Sequence, residues 1–119
     1  MVLDMCLTGS KWIGPDDDEK LDGFKITRVE LLLAEWHDDE RLYQYMNNLF
    51  GEFLLPGQRL YEADLDKIIN TLSVCPSVVY GEDKEQAAKD LITFSIVRDW
   101  LKKNIPHGSV QFDVTYTGV

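Results

Sequence analysis

The sequence predicts an α+β fold, with three helices packed on one face of a small, mainly antiparallel sheet. Near the end of the chain, Val110, Phe112, Val114 and Tyr116 alternate with Gln111, Asp113, Thr115 and Thr117, the pattern of a strand with one buried and one wet face. In between, three stretches carry apolar residues at helical spacing. At the start, Val2, Asp4 and Cys6 alternate with Leu3, Met5 and Leu7. At 119 residues the chain is read as one domain, 1–119, with no internal repeat. A domain of this size buries about two-thirds of its unfolded surface without a metal or a disulfide.

In chain order, Val2 to Thr8 reads as a strand and Gly14 to Gly23 as an acidic loop. Phe24 to Leu33 reads as a second strand, running into a helix near Ala34. That helix is closed by Gly51, and its core stripe is Leu42, Met46, Leu49 and Phe50. Pro56-Gly57 marks a turn. A second helix starts near Ala63, buries Leu65, Ile68, Ile69 and Leu72, and stops before Pro76, which places Cys75 at a buried helix end. Val78 to Tyr80 reads as a brief extended stretch. The third helix, Asp83 to Lys103, has acids at its start and lysines at its end, as the helix dipole favours. Its apolar residues Ala88, Leu91, Ile92, Phe94, Ile96, Val97, Trp100 and Leu101 wrap most of its circumference. Such a helix suits either the centre of a monomer or a homodimer interface.

The charge is uneven. Residues 1–40 hold eleven acids and four bases, and they carry −7 of the net −9. This field repels nucleic acid and anionic membrane and attracts basic surfaces. No apolar run reaches the ~20 residues of a membrane span, and the Met-Val-Leu-Asp-Met start has no basic region of a signal peptide. Cys6 and Cys75 are read as reduced thiols.

The site-forming patterns are few. Asp18-x-Lys20-x-Asp22-Gly23 resembles the start of a calcium loop, but Lys20 occupies a ligand position and Glu30 comes one residue late for the bidentate glutamate. His37-Asp38-Asp39-Glu40, read as consecutive helical residues, points its groups in different directions, and His107 is far off in sequence. The serines lie in no nucleophile elbow, and the glycines form no phosphate cradle. The expectation is therefore a protein without metal or cofactor that is not an enzyme. Acid–base chemistry on carboxylates would need a cleft with raised carboxylate pKa values. The candidate partner-binding residues are Asp16, Asp17, Asp18, Glu19, Asp22, Asp38, Asp39 and Glu40, an acidic surface for the basic groove of a nuclease or another nucleic-acid-binding protein. The alternative is an oligomeric small-ligand binder with an aromatic pocket at Trp36, Arg41, Tyr43 and Tyr45.

The opening Met1-Val2-Leu3-Asp4-Met5-Cys6-Leu7 resembles a family of small, uncharacterised phage and prophage proteins that begin Met-Gly-Leu-Asp-Met-Tyr-Leu. Those proteins continue with a strand and a helix patterned Tyr-Trp-Arg-Lys-x-Asn-x-Ile-His-x-Trp-Phe. The similar stretch here is Glu35-Trp36-His37-Asp38-Asp39-Glu40-Arg41-Leu42-Tyr43-Gln44-Tyr45-Met46. Their closing helix and aromatic strand are similar to Asp90–Leu101 and Phe112–Tyr116. The family's Arg-Lys pair is His37-Asp38 in this chain and its His is Tyr43, so a ligand site built on those groups would be lost or changed. The resemblance implies a shared fold, a phage-related origin and the cytoplasm of a bacterial host. With the charge, it implies an inhibitor of a host defence protein, of anti-CRISPR or anti-restriction type.

Overall fold

A computed structural model describes residues 2–13, 20–51 and 57–117. Strand β1 (Val2–Trp12) lies at the centre of a four-stranded sheet with β4 (Arg28–His37), β6 (Ser109–Thr117) and β5 (Gln58–Tyr61), in the order β4-β1-β6-β5. All neighbouring pairs are antiparallel. A hairpin of β2 (Lys20–Leu21) and β3 (Phe24–Lys25) extends from the Trp12/Arg28 end of the β1–β4 ladder. Helices α1 (Glu40–Leu49), α2 (Glu62–Val74), α3 (Ser77–Tyr80) and α4 (Lys84–Asn104) complete the described residues. The α+β fold and the antiparallel sheet are as the sequence predicts, with four helices rather than three.

The core forms where the sheet's apolar face meets the helices. Leu3, Met5 and Leu7 of β1, Trp36 of β4, Val110 and Phe112 of β6 and Leu60 of β5 pack with Leu42, Met46, Leu65, Ile68, Leu72, Phe94, Val97 and Leu101. Trp36 stacks on Phe94 with ring centroids 5.4 Å apart. Gly9 lets the sheet and α4 approach closely, because a Cβ there would run into the Trp100 ring. The opposite face carries the other set of alternating residues, among them Asp4, Cys6, Thr8, Ser10, Gln111 and Asp113.

Four expectations are corrected. First, β4 continues through Ala34 to His37, and α1 begins only at Glu40. The Glu35–Met46 stretch is thus a strand end, a turn and a helix. Ala34 and Trp36 keep the strand alternation, while Asp38 takes a left-handed turn (φ 54°) and Asp39 caps α1 through Leu42 N–H. Second, Val78 to Tyr80 belongs to a helical turn, for which Pro76 supplies a helical N-cap backbone. Third, β5 pairs along the free edge of β6, where the sequence shows only a turn and a helix start. Fourth, Cys75 caps α2 in an exposed position.

The apolar residues of α4 divide between a buried stripe and an outer face. Its buried residues are Ala87, Asp90, Phe94, Val97 and Leu101, one stripe at i, i+3 and i+4 spacing, whereas Ile92 and Ile96 face outward. Among the described residues no helix is long and apolar enough to cross a membrane.

Candidate functional site

The β4–α1 junction forms an open cleft of about 530 Å³ lined by His37, Asp38, Asp39, Glu40, Arg41 and Gln86. Local chemistry fixes its shape. Asp38 is tied to the first strand twice: its backbone N–H donates to the Leu3 carbonyl at 2.6 Å, and its Oδ1 accepts from Leu3 N–H at 3.0 Å. Asp39 Oδ1 accepts from Leu42 N–H at 3.0 Å. Both carboxylates are therefore held by backbone donors, which keeps them oriented. Glu40 stands exposed in the first turn of α1.

Arg41 bridges to the next wall. Its guanidinium donates to the Tyr80 carbonyl at 3.2 Å and to Asp83 Oδ2 at 3.1 Å, and it lies 4.9 Å above the Tyr80 ring centroid. Asp83 caps α4 through Gln86 N–H, so the N-termini of α1 and α4 converge on the cleft. The Gln86 N–H, and then Arg41, hold the Asp83 carboxyl below the usual carboxylate range. His37 Nδ1 lies 2.7 Å from Asp4 Oδ1, and that hydrogen bond raises the imidazole pKa.

Under the cleft lies the buried polar residue of the core, Asp90, only 2% exposed. Its Oδ1 accepts from Trp36 Nε1–H and from Gln86 Nε2–H, both at 3.1 Å. Its Oδ2 makes a short contact with the Tyr80 hydroxyl, which also lies 2.7 Å from Asp39 Oδ2. A phenol has one proton and can donate to only one of two carboxylates. Burial pushes the Asp90 carboxyl up, so Asp90 is where a second proton is held most readily. With that proton on Oδ2, Asp90 donates to Tyr80, Tyr80 donates to Asp39, and every contact in the chain is satisfied. Burial, and then both carboxylates, also raise the Tyr80 phenol well above its ordinary value, so it stays a donor.

Chemically, this run of contacts links the buried Asp90 to Asp39 at the cleft through one phenol. Asp90 does not line the cleft itself. Among the described residues no three His, Cys, Asp or Glu side chains converge as metal ligands.

The sequence-derived residues are distributed as follows. Asp38, Asp39 and Glu40 line the cleft together. Asp22 sits in the β2–β3 turn, beyond the other end of the ten-residue β4. A strand of that length separates the two ends by about 30 Å. Asp16, Asp17, Asp18 and Glu19 lie outside the described residues. The four residues of the aromatic pocket do not line one cavity. Trp36 is in the core, bonded to Asp90, and Tyr43 is packed against that core. Arg41 and Tyr45 line a shallow groove on the outer side of α1, where the Tyr45 hydroxyl donates to Thr71 Oγ1 at 3.1 Å.

Asp90, Asp83 and Gln86 are not among the candidate site residues read from the sequence. One signal was present: Asp90 falls in the stripe of Ala87, Phe94, Val97 and Leu101, a charged residue at a core position. Comparison with known protein families, with curated proteins and with solved structures finds no match for this chain.

Proposed function

We propose that this is a non-enzymatic, phage-related interaction protein of a bacterial host's cytoplasm. In this reading it inhibits a host nucleic-acid-binding or defence protein, in the manner of an anti-CRISPR or anti-restriction inhibitor. It docks on a basic groove through the acidic cleft at the β4–α1 junction. The observation that carries this reading is the run Asp38-Asp39-Glu40 on an open cleft, with two of its carboxylates anchored by backbone N–H groups. Anchored acids lose little freedom when a partner's arginine or lysine arrives, which lowers the cost of binding. Glu82 and Glu85 are exposed beside Asp83 at the start of α4 and extend the negative field. Such a field speeds association and makes it salt-dependent. Asp22 belongs to the far end of the sheet, and this reading does not use it.

The test is capture from bacterial lysate at low and high salt, followed by affinity measurement with the purified partner. A basic nucleic-acid-binding protein held at low salt, released at high salt and weakened ~10-fold or more by combined Glu40→Lys and Glu82→Lys would support the reading. Unchanged affinity in that double variant, or an effect matched by Asp22→Lys, would overturn it.

A further inference from the structure

The sheet face turned away from the helices is divided in charge. Near the acidic cleft it presents Asp4, Glu35 and Asp113, with Cys6 between the last two in register. Toward the other end it presents a hollow of about 260 Å³, lined by Thr8, Ser10 and Gln111 in the middle and by Arg28, Arg59 and Trp12 at the rim. Among the described residues, no acidic side chain lines it.

On a chain of net charge −9 this hollow stands out. Arg59 donates to Ser109 Oγ at 3.2 Å, and neither Arg59 nor Arg28 has a carboxylate partner among the described residues. The other arginines, Arg41 and Arg98, are both paired with aspartates. Two guanidinium forks without a carboxylate partner among the described residues, in one hollow with the Thr8 and Ser10 hydroxyls, match the oxygens of a phosphate group. The Gln111 amide N–H is held by Asp113 at 3.0 Å and leaves the anion to the arginines and hydroxyls. Trp12 is 72% exposed and is the register partner of Arg28, so an indole lies beside the guanidinium. An exposed indole in that place offers a stacking platform for a planar ring.

We propose that this hollow binds a small phosphate ester carrying a planar ring, the chemical class of mononucleotides. The phosphate sits between Arg28 and Arg59 over the Thr8 and Ser10 hydroxyls, and the ring lies on Trp12. The volume suits a phosphate and sugar, with the ring lying out over the rim. A polymer is excluded by the charge: two arginines neutralise about one phosphate group, and the rest of the molecule repels further ones. Glu30, the register partner of Ser10, is the acid of β4 closest to the hollow without lining it. This inference is independent of docking at the acidic end.

The test is calorimetric titration with adenosine monophosphate, inorganic phosphate, adenosine and a short single-stranded oligonucleotide, paired with tryptophan fluorescence. The expected result is saturable binding of the mononucleotide, weaker binding of phosphate or nucleoside alone, and quenching of the Trp12 emission. Arg28→Gln and Arg59→Gln should each weaken the mononucleotide about tenfold or more, with unchanged circular dichroism because both side chains are exposed. Trp12→Ala should weaken the mononucleotide but not phosphate. No saturable mononucleotide binding, or binding unchanged in both arginine variants, would overturn the proposal. Phosphate binding as tightly as the mononucleotide would remove the ring from it, and a tighter oligonucleotide would remove the small-molecule assignment.

Discussion

The two ends of the β1–β4 ladder use charge in opposite ways. At the Asp4/His37 end, most charged groups are tied into the fold. Asp38 holds the first strand, Asp39 holds α1 and Tyr80, Asp83 holds α4 and Arg41, and Asp90 collects Trp36, Gln86 and Tyr80. At the Trp12/Arg28 end, Arg28 and Arg59 have no carboxylate partner among the described residues, and an indole is open to solvent. The difference separates charges anchored by the fold's own hydrogen bonds from charges that the described carboxylates leave uncompensated. A tied carboxylate costs stability when it is removed, whereas an exposed guanidinium with no described carboxylate partner costs little.

The largest test of that contrast is Asp90→Ala. It leaves the buried Trp36 Nε1–H and the Tyr80 hydroxyl short of a partner and opens a hole in the α4 stripe, and it should destabilise by about 3 kcal/mol in chemical denaturation. Asp90→Asn keeps an acceptor for Trp36 and a donor for Tyr80, and it should cost about half as much. The two variants also differ in pH behaviour. Burial raises the Asp90 carboxyl, so the folded chain binds that proton more tightly than the unfolded chain. Its stabilising contribution is full below the unfolded pKa and is lost as pH rises through the folded value. Asp83, whose carboxyl is lowered, has the opposite sign: its contribution holds above the unfolded pKa and is lost as pH falls. Asp90→Asn should therefore flatten the stability profile on the rising side, and an unaltered profile would refute the proton assignment.

Next in size is Tyr80→Phe, which removes the hydroxyl between Asp39 and Asp90 while keeping the ring under Arg41. We expect a loss of about 1–2 kcal/mol in chemical denaturation. Combined with Asp90→Asn, it should be clearly non-additive, because both substitutions break one chain of bonds.

Arg28→Gln and Arg59→Gln sharpen the comparison from the other end: each should shift stability by less than about 0.5 kcal/mol. A shift as large as that of Asp90→Asn would erase the distinction between the two ends. The smallest effect belongs to His37. Its imidazole should titrate above its ordinary value by NMR, because the Asp4 hydrogen bond favours the charged form, and Asp4→Asn should bring it back down. The ion pair strengthens the acidic end while His37 is protonated and is lost as pH rises through the raised value.

How much was legible depended on how locally each feature is encoded. The last strand was readable because Val110, Phe112 and Val114 alternate without a break. The α4 boundaries were readable because Asp83 and the lysines mark them. The β4–α1 junction was misplaced because Ala34 and Glu35 tolerate a helix. Their strand state is imposed by pairing with Leu7 and Cys6, partners almost thirty residues earlier in the chain. Strand β5 was missed because four residues with one buried side chain carry too little periodicity, and it exists only because β6 offers an edge.

By itself, the sequence determined the α+β class, the apolar stripes of α1 and α2 and the excess of acid in the first forty residues, since each depends on residue types at short spacing. Only the tertiary structure decided which acids share a surface. It placed Asp22 and Asp38 at opposite ends of a ladder, brought Asp39 and Asp90 to one phenol, and left Arg28 and Arg59 in one hollow. The physical reason is that periodicity tells which side of its own element a residue faces, while pairing register and helix packing decide what stands across from it.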